Sequence, residues 1–357
     1  ARRARTAVAA APLIALNDAL MTWPPGFQVN RKLSRVLERR RDLFADPDAP
    51  TVDWATAEAL AFASILADGT PIRLTGEDVE RGTFSHRHAL LRDESSGAVH
   101  IPLQHIPQAR ASFEVRNSPL SEAGAIGFEY GYNIQAPERL VVWEAQYGDF
   151  INTAQAIIDE FVVSGHAKWE QTPSLVLLLP HGYEGQGPDH STGRLERFLQ
   201  LAAETNMRVA NATTAAQYFH LLRRQAALLL TDPLPLIVMT PKSLLRNQRG
   251  FSSLRDLAEG HWQPVIDDAA ADPAAVRRVI LGSGKITIDA TADPRRAECP
   301  AIALVRVEQL YPWPEEELTA VFERYAGAAE IVWLQEEPTN AGAWEFVQPR
   351  LLRQLDG

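Results

Sequence analysis

The ten-residue segment HGYEGQGPDH, from His181 to His190, concentrates groups that can exchange protons or bind a ligand. Histidines and the carboxylates of Glu184 and Asp189 can transfer protons near neutral pH, and the three glycines allow the backbone to approach a ligand closely. The same four side chains suggest an alternative, a metal site, although they lack the i, i+4 helical spacing of a strong zinc signature. A third interpretation is a turn-rich loop whose histidines are solvated.

Glu122 lies in the first turn of a predicted helix with an apolar flank that includes Leu120 and Ile126. We expect Ser118 to be the N-cap of this helix and Pro119 its first helical residue. A carboxylate at this position could simply complement the helix dipole. Alternatively, desolvation by the apolar flank would raise the pKa of the carboxyl group, which could then share a proton near neutral pH.

Two aromatic residues, Tyr147 and Phe150, directly follow a predicted strand at 140–143. In a parallel sheet, ligands bind in the loops beyond the carboxyl ends of the strands. The two rings could stack on a flat ligand, or they could belong to the core. The basic segment from Arg81 to His88 follows an earlier predicted strand, and it could bind an anion or form a solvated turn.

The string GSGK, from Gly282 to Lys285, is not a complete phosphate-binding loop. Val279 stands where the first glycine of that motif belongs, and Ile286 stands where serine or threonine belongs. The sequence also contains no GxGxxG string between a predicted strand and a predicted helix. These departures disfavour a nucleotide-dependent kinase and a Rossmann dehydrogenase.

The 357 residues suffice for two domains, and 46% hydrophobic with 22% charged residues is typical of a globular protein. The single cysteine, Cys299, excludes an intrachain disulfide framework and a cysteine-rich zinc module. The net charge of −10 opposes binding to nucleic acid and to anionic membranes. No apolar run approaches the roughly 20 residues that a membrane-spanning helix needs. We therefore expect neither nucleic acid nor a membrane as a partner.

Hydrophobic patterning predicts two α/β domains. A helical arm occupies 1–56, and alternating strands and helices then predict one domain at 57–248 and a second at 274–357, joined by a polar linker at 249–273. Strands are predicted at 71–74, 112–117, 140–143, 175–179, 207–210, 236–239, 279–281, 303–307 and 331–334. This alternation favours doubly wound, largely parallel sheets covered by helices.

Eight strings, in order, resemble the E1 component of 2-oxoglutarate dehydrogenase, a thiamine diphosphate enzyme. They are RGTFSHRH (81–88), SEAGAIGFEYGY (121–132), VWEAQYGDF (142–150), LLPHGYEGQGPDHS (178–191), YFHLLRRQ (218–225), VMTPKSLLRN (238–247), VRVEQLYP (305–312) and WLQEEPTNAGAW (333–344). One departure is Glu77, where the family more often has glutamine. The resemblance implies a transketolase-like pyrimidine-binding domain followed by a transketolase C-terminal-like domain.

The resemblance also assigns roles to individual residues. It implies that Glu122 hydrogen-bonds the aminopyrimidine ring of thiamine diphosphate and promotes its activation. Phe150 matches the aromatic residue that stacks on this ring, with Tyr147 nearby. His190 matches a catalytic histidine that faces the reacting carbon, and His181 is a weaker candidate in the same loop.

The family's magnesium site is missing from this sequence. A full E1 component binds the cofactor diphosphate through Mg²⁺ with a GDG motif and a later asparagine, and neither Asp68-Gly69 nor Gly148-Asp149 completes that motif. The Mg²⁺ ligands are therefore expected on a missing N-terminal half or on a partner chain. The start at Ala1, with Arg2 and Arg3, could reflect a transit peptide, but we expect a truncation or a split enzyme.

The implied reaction is decarboxylation of 2-oxoglutarate and reductive succinyl transfer to the lipoyl group of an E2 component. The resemblance further implies a homodimer in the bacterial cytoplasm, or alternatively the mitochondrial matrix. The related 2-oxoadipate enzyme is an alternative. So is a catalytically silent module for dimerisation or E2 docking. A metal-dependent hydrolase built on the loop 181–190 is the third hypothesis.

Overall fold

The computed structural model of the protein describes residues 4–356, so Arg2 and Arg3 of the basic N terminus lie outside the described residues. The helices are α1 (Ala10–Leu20), α2 (Arg31–Glu38), α3 (Trp54–Asp68), α4 (Pro102–His105), α5 (Glu122–Gln135), α6 (Gln155–Ile157), α7 (Gly165–Trp169), α8 (Leu195–Gln200), α9 (Ala215–Leu228), α10 (Leu254–Glu259), α11 (Lys285–Ala292), α12 (Glu315–Arg324) and α13 (Trp344–Asp356). The strands are β1 (Ile72–Gly76), β2 (Leu91–Arg92), β3 (Val99–His100), β4 (Phe113–Asn117), β5 (Leu140–Glu144), β6 (Val176–Pro180), β7 (Arg208–Ala210), β8 (Leu236–Thr240), β9 (Val265–Ile266), β10 (Arg278–Gly282), β11 (Ile302–Val307), β12 (Gln309–Tyr311) and β13 (Glu330–Leu334). Short 3₁₀ turns occupy Arg39–Asp42, Gly148–Ala154, Ser243–Arg246, Gln248–Gly250 and Pro294–Glu298, and a π-turn occupies Ile158–Val162.

The larger sheet has seven strands in the order β12-β7-β8-β6-β5-β1-β4, and only the edge pair of β12 with β7 is antiparallel. Along β5, Leu140 and Val142 face one apolar core, whereas Val141 and Trp143 face the other. A strand that is covered on both faces has no solvent side, and its sequence is therefore a continuous apolar run. The predicted α/β architecture with largely parallel sheets is confirmed.

The smaller sheet has four strands in the order β13-β10-β11-β9. The pairs β10–β11 and β10–β13 are parallel, whereas β9 pairs antiparallel with β11. The segment 249–273, predicted as a linker, therefore contributes a strand to this sheet, and it also contains α10. Val265 and Ile266 can form this strand because Val307 and Arg306 of β11 lie opposite them.

The chain passes directly from the smaller sheet to the larger one at Glu308. This residue separates β11 from β12, and its side chain is fully buried. Its carboxylate accepts a hydrogen bond from the backbone N–H of Thr213 at 2.8 Å and a second from the Thr213 hydroxyl. The two sheets consequently share a connection inside the protein, and the predicted second domain supplies an edge strand to the first sheet.

The N-terminal arm packs against the larger sheet. Leu13, Leu16 and Leu20 of α1 are buried in the same apolar core as Leu60 of α3. Helix α3 begins at Trp54, because the side chain of Asp53 accepts a hydrogen bond from the Thr56 N–H at 2.7 Å. The arm and the first domain are thus joined by one continuous core, and the helix begins within the segment that was predicted to be the arm.

The prediction that Ser118 caps α5 is wrong. The Ser118 N–H donates to the carbonyl of Gly76 at 2.7 Å, which extends the pairing of β4 with β1 by one residue. The helix begins later, with Ser121 as its N-cap and its hydroxyl accepting from the N–H of Gly124. Glu122 consequently becomes the first helical residue.

Arg87 forms a buried ion network beneath the carboxyl end of β5. Its guanidinium donates to Glu58 Oε1 at 2.5 Å and to Glu144 Oε1 at 2.9 Å, and the Tyr218 hydroxyl also donates to Glu58 at 2.7 Å. All of these side chains are buried. The basic segment 81–88 was predicted to bind an anion or to form a solvated turn, and the anions that Arg87 binds are two carboxylates of the protein itself.

We predict that Arg87→Met destabilises the protein by about 3–5 kcal/mol, because two buried carboxylates lose their counter-charge. The control is Arg81→Met in the same segment, whose side chain is 53% exposed and pairs with Asp78. It should change stability by less than about 1 kcal/mol. Equilibrium unfolding in guanidinium chloride measures both changes. Equal losses in the two variants would contradict the buried network.

Candidate functional site

The predicted site residues lie along one edge of the larger sheet, where its parallel strands end. Glu122 begins α5, which follows β4, and Tyr147 and Phe150 lie in the turn that follows β5. His190 lies in the loop between β6 and α8. Since β5 neighbours β6 and β1 separates β5 from β4, these connections emerge close to one another. The carboxyl edge of a parallel sheet is the usual place for a ligand site.

Three aromatic rings form a cluster at this edge. The His190 ring centroid lies 4.4 Å from that of Tyr147 and 5.5 Å from that of Phe150, and both contacts are edge-to-face. All three side chains are only partly buried. Among the described residues, none forms a hydrogen bond with a ring nitrogen of His190. The imidazole is therefore positioned by its edge-to-face contacts with Tyr147 and Phe150, and both of its nitrogens stay available for proton transfer or for a ligand.

Glu122 is connected to this cluster through Thr153. The Thr153 hydroxyl lies 3.0 Å from Glu122 Oε2 and also 3.0 Å from the carbonyl oxygen of Phe150. The carboxyl group is half-buried: Ile126 of its predicted apolar flank is fully buried, whereas Leu120 is 55% exposed. The structure thus links Glu122, Phe150 and His190 at the edge of the sheet, through the Thr153 hydroxyl and the ring contact between Phe150 and His190.

Asp149, which was not among the predicted site residues, binds the turn after β5 to the loop after β6. Its Oδ2 atom accepts hydrogen bonds from the N–H groups of Ser191 and Thr192, both at 2.8 Å. Its Oδ1 atom lies 2.9 Å from a guanidinium nitrogen of Arg194. The YGDF string contains this carboxylate, but the partners that bury it lie more than 40 residues further along the chain.

Gly148 allows these two segments to approach each other closely. A Cβ atom at this position would lie 2.6 Å from the Cα atom of Gly193 and 2.7 Å from the carbonyl oxygen of Pro180. Both distances are well inside van der Waals contact, and both involve backbone or Cα atoms that cannot rotate away. The absence of a side chain at Gly148 is therefore a condition for the contact between Phe150 and His190.

Among the described residues, no ring contact joins His181, the weaker catalytic candidate, to Tyr147, Phe150 or His190. Its Nδ1 atom accepts a hydrogen bond from the N–H of Gly193 at 2.9 Å, and its Nε2 atom lies 2.8 Å from Glu337 Oε1. The residue is only 8% exposed. With both ring nitrogens engaged, His181 connects the segment after β13 to the site loop.

Glu337 is the partner that the sequence did not reveal, since it lies 156 residues from His181. Burial disfavours the charged form of Glu337, but the hydrogen bond and charge of His181 outweigh this and hold the pKa of the carboxyl group below its ordinary value. The same interaction outweighs burial in the opposite direction at His181 and raises the pKa of its imidazole. The hydrogen bond between His181 Nε2 and Glu337 joins the second α/β unit to the site loop.

The four side chains of the alternative metal site do not converge. His181 is already engaged at both nitrogens, and the Glu184 carboxylate accepts from the N–H of Ser243 at 3.1 Å and from its hydroxyl at 2.9 Å. Within residues 4–356, no group of three or more His, Cys, Asp or Glu side chains is placed to hold a metal ion.

We predict that Gly148→Ala destabilises the protein by about 1–3 kcal/mol, because the new methyl group forces backbone segments apart. The matched control is Gly131→Ala, in the interior of α5, where no described atom outside the chain neighbours and the helix's own backbone lies within 4 Å of the added Cβ. That change should be neutral or stabilise the protein by up to about 1 kcal/mol. Chemical denaturation of both variants measures the difference, and equal stabilities would contradict the close approach of the two segments.

Comparison with known proteins supports the same architecture. The transketolase pyrimidine-binding domain family matches residues 50–248, and the 2-oxoglutarate dehydrogenase C-terminal family matches residues 251–357. The chain is 52% identical to a 2-oxoglutarate dehydrogenase E1 component of Bacillus mycoides, over 99% of this chain and 37% of that protein. It is 53% identical to the protein of the same name from Bacillus cereus strain AH820, over 97% of this chain and 36% of the relative.

The chain thus spans little more than a third of the length of these curated relatives. It belongs to the transketolase pyrimidine-binding domain family, and it is similar over nearly its whole length to the C-terminal part of 2-oxoglutarate dehydrogenase E1 components.

Proposed function

We propose that this chain is the part of a 2-oxoglutarate dehydrogenase E1 component that binds the aminopyrimidine ring of thiamine diphosphate. The observation that carries the proposal is the arrangement of Glu122, Phe150 and His190. Glu122 and Phe150 share the Thr153 hydroxyl, and Phe150 lies against the ring of His190. These contacts connect a carboxylate, an aromatic ring and an imidazole with available nitrogens, which is what supports the proposal.

The donor set fits an aminopyrimidine. Glu122 accepts a hydrogen bond on Oε2, and among the described residues none donates to its Oε1 atom, which leaves that oxygen for a ring nitrogen. Phe150 is half-buried, so that part of its ring remains open for stacking on a flat heterocycle. When bound, thiamine diphosphate supplies the carbanion chemistry of oxoacid decarboxylation, and the protein supplies orientation and proton transfer.

Each residue then has a separate task. Glu122 holds the proton that it exchanges with the ring nitrogen, and its place at the start of α5 keeps the carboxylate in one position. Phe150 and Tyr147 exclude water from one side of the ring. His190 presents an imidazole to the oxoacid or to the incoming lipoyl group. His181 acts indirectly, since its contacts with Gly193 and Glu337 hold the loop in place.

Binding of the diphosphate and of Mg²⁺ falls to another part of the complete protein or to a partner chain, because this sequence has no complete GDG motif. The same division applies to the substrate. Arg194, a cation just beyond the loop that carries His190, is paired with Asp149. Contacts with the carboxylates of 2-oxoglutarate, or of the alternative 2-oxoadipate, are therefore expected mainly from outside this chain.

The proposed partners follow from the relatives. An E1 component works with a lipoyl-bearing E2 component. Two copies of this chain are also proposed to form a homodimer, in which each copy contributes its two α/β units to the contact. None of the helices described within residues 4–356 is long and apolar enough to cross a membrane. Because the two relatives compared above are from Bacillus, a bacterial cytoplasm is the proposed location.

We predict that Glu122→Gln in the complete enzyme lowers the rate by about two to four decades, because the amide cannot exchange the proton of the carboxyl group. The fold should be retained, since the side chain is nearly isosteric. Two measurements test this: turnover of 2-oxoglutarate, and exchange of the C2 proton of thiamine diphosphate. The control is Glu138→Gln, an exposed carboxylate just beyond the other end of α5.

Unchanged proton exchange and turnover in Glu122→Gln would reduce Glu122 to a residue that complements the helix dipole. That result would also favour the alternative in which the chain is a catalytically silent module for dimerisation or E2 docking. A loss of activity in Glu138→Gln as large as in Glu122→Gln would show a general effect of removing negative charge from this helix.

We further predict that the 357-residue chain alone does not turn over 2-oxoglutarate, even with added thiamine diphosphate and Mg²⁺. The physical reason is that the diphosphate and the metal would have no ligands. Oxoacid-dependent dye reduction measures the activity, and the complete protein serves as the positive control. Robust turnover by this chain alone would contradict the proposed division of the cofactor site.

A further inference from the structure

The loop that carries His190 has little rigidity of its own. Gly182, Gly185 and Gly187 all have positive φ angles, and most of the residues between Gly182 and His190 are exposed. Its internal hydrogen bonds are few: the Gly182 N–H donates to Ser191 O at 2.7 Å, the Ser191 hydroxyl donates to Gly187 O at 2.6 Å, and the His190 N–H donates to Gly187 O at a long 3.3 Å. Something outside the loop must therefore hold His190 in position.

Lys242 supplies that restraint. It lies two residues beyond the end of β8, and only 3% of it is exposed. Its Nζ atom donates hydrogen bonds to the carbonyl oxygens of Gly182 and His190, each at 2.7 Å. One ammonium group thus joins the two ends of the loop. The adjacent Ser243 holds the middle of the loop through Glu184.

The environment of Lys242 is costly for a cation. Burial lowers the pKa of its ammonium group, and no carboxylate of the described residues lies within 4 Å to form an ion pair. A charge placed among carbonyl oxygens costs desolvation energy that an apolar side chain would not. A lysine at this position is therefore better explained by what it holds than by its contribution to stability.

The order of the strands explains how this contact orients His190. Strands β8, β6 and β5 are consecutive in the sheet. Lys242 approaches from the side of β8 and binds the His190 carbonyl, whereas Asp149 approaches from the side of β5 and binds the N–H groups of Ser191 and Thr192. The backbone around His190 is consequently held from both sides, with the imidazole directed to Tyr147 and Phe150.

We propose that Lys242 is a positioning residue that holds the loop 182–190 closed and keeps the imidazole of His190 at the candidate site. The contact itself does not depend on the proposed function. Its consequence for catalysis does rest on that function, because His190 acts on substrate only if the chain is part of the E1 component.

The test uses the complete protein and compares Lys242→Met with wild type. Hydrogen exchange of the segment 181–193 should become at least about tenfold faster in the variant, because the two carbonyl oxygens lose their shared donor. Exchange in β8 should stay unchanged. The control is Lys285→Met, a nearby lysine that pairs with Asp289 and does not contact the loop. It should leave exchange in the loop unchanged.

Two further variants keep the test decisive. Lys242→Arg retains a cationic donor and should restore part of the protection. If Lys242→Met does not fold, Lys242→Gln replaces it, since a shorter neutral amide cannot reach both carbonyl oxygens, and the same faster exchange is expected. Exchange at the wild-type rate in the folded variant, or equal acceleration in Lys285→Met, would overturn the proposal.

Kinetics separate this proposal from the proposed function. In the active complete enzyme, Lys242→Met should lower kcat by about tenfold or more through misplacement of His190, with KM for 2-oxoglutarate changed much less. Lys242→Arg should recover part of kcat. If the wild-type complete protein has no oxoacid activity but Lys242→Met still accelerates hydrogen exchange in the loop, the proposed function is overturned and the positioning role of Lys242 remains. Faster exchange with unchanged kcat would overturn the catalytic part of this inference.

Discussion

The carboxylate of Asp149 is the interaction on which the candidate site depends. It is buried, and two backbone N–H donors, of Ser191 and Thr192, together with an ion pair to the guanidinium of Arg194, offset the cost of its desolvation. Through these contacts the turn after β5 and the loop after β6 become one unit. This unit brings the ring of His190 against Tyr147 and Phe150.

The same unit is supported by charged groups that come from distant parts of the chain. Arg87 binds the buried carboxylates of Glu58 and Glu144. Glu144 is the last residue of β5, and the turn that carries Tyr147 begins directly after it. Burial raises the pKa of Glu144 although the Arg87 guanidinium opposes the shift. Glu337 engages His181 from the smaller sheet. Polar contacts thus position the rim of the site, while the apolar strands provide a rigid base.

The smaller sheet belongs to the site as well as to the fold. The chain crosses between the two sheets at Glu308, whose buried carboxylate receives both donors of Thr213. Burial also raises the pKa of Glu308, so the junction depends on these donors for its stability. The segment after β13 contacts His181 through Glu337. A change in the packing of the second α/β unit would therefore alter the position of the loop that carries His190. The two units therefore act as one support.

The sequence by itself determined the type of fold, most of the strands and the candidates Glu122, Phe150 and His190. These follow from local patterns, since a strand buried on both faces must be apolar throughout and the motif strings retain their order. Only the tertiary structure decided that Ser121 rather than Ser118 caps α5, that β9 and β12 join sheets, and that His181 is a buried support. Each of these depends on a partner far away in the chain: Gly76 for Ser118, Val307 for Val265, Glu337 for His181. A local pattern shows which groups are available, but the choice among possible partners is made by the geometry that brings distant residues together.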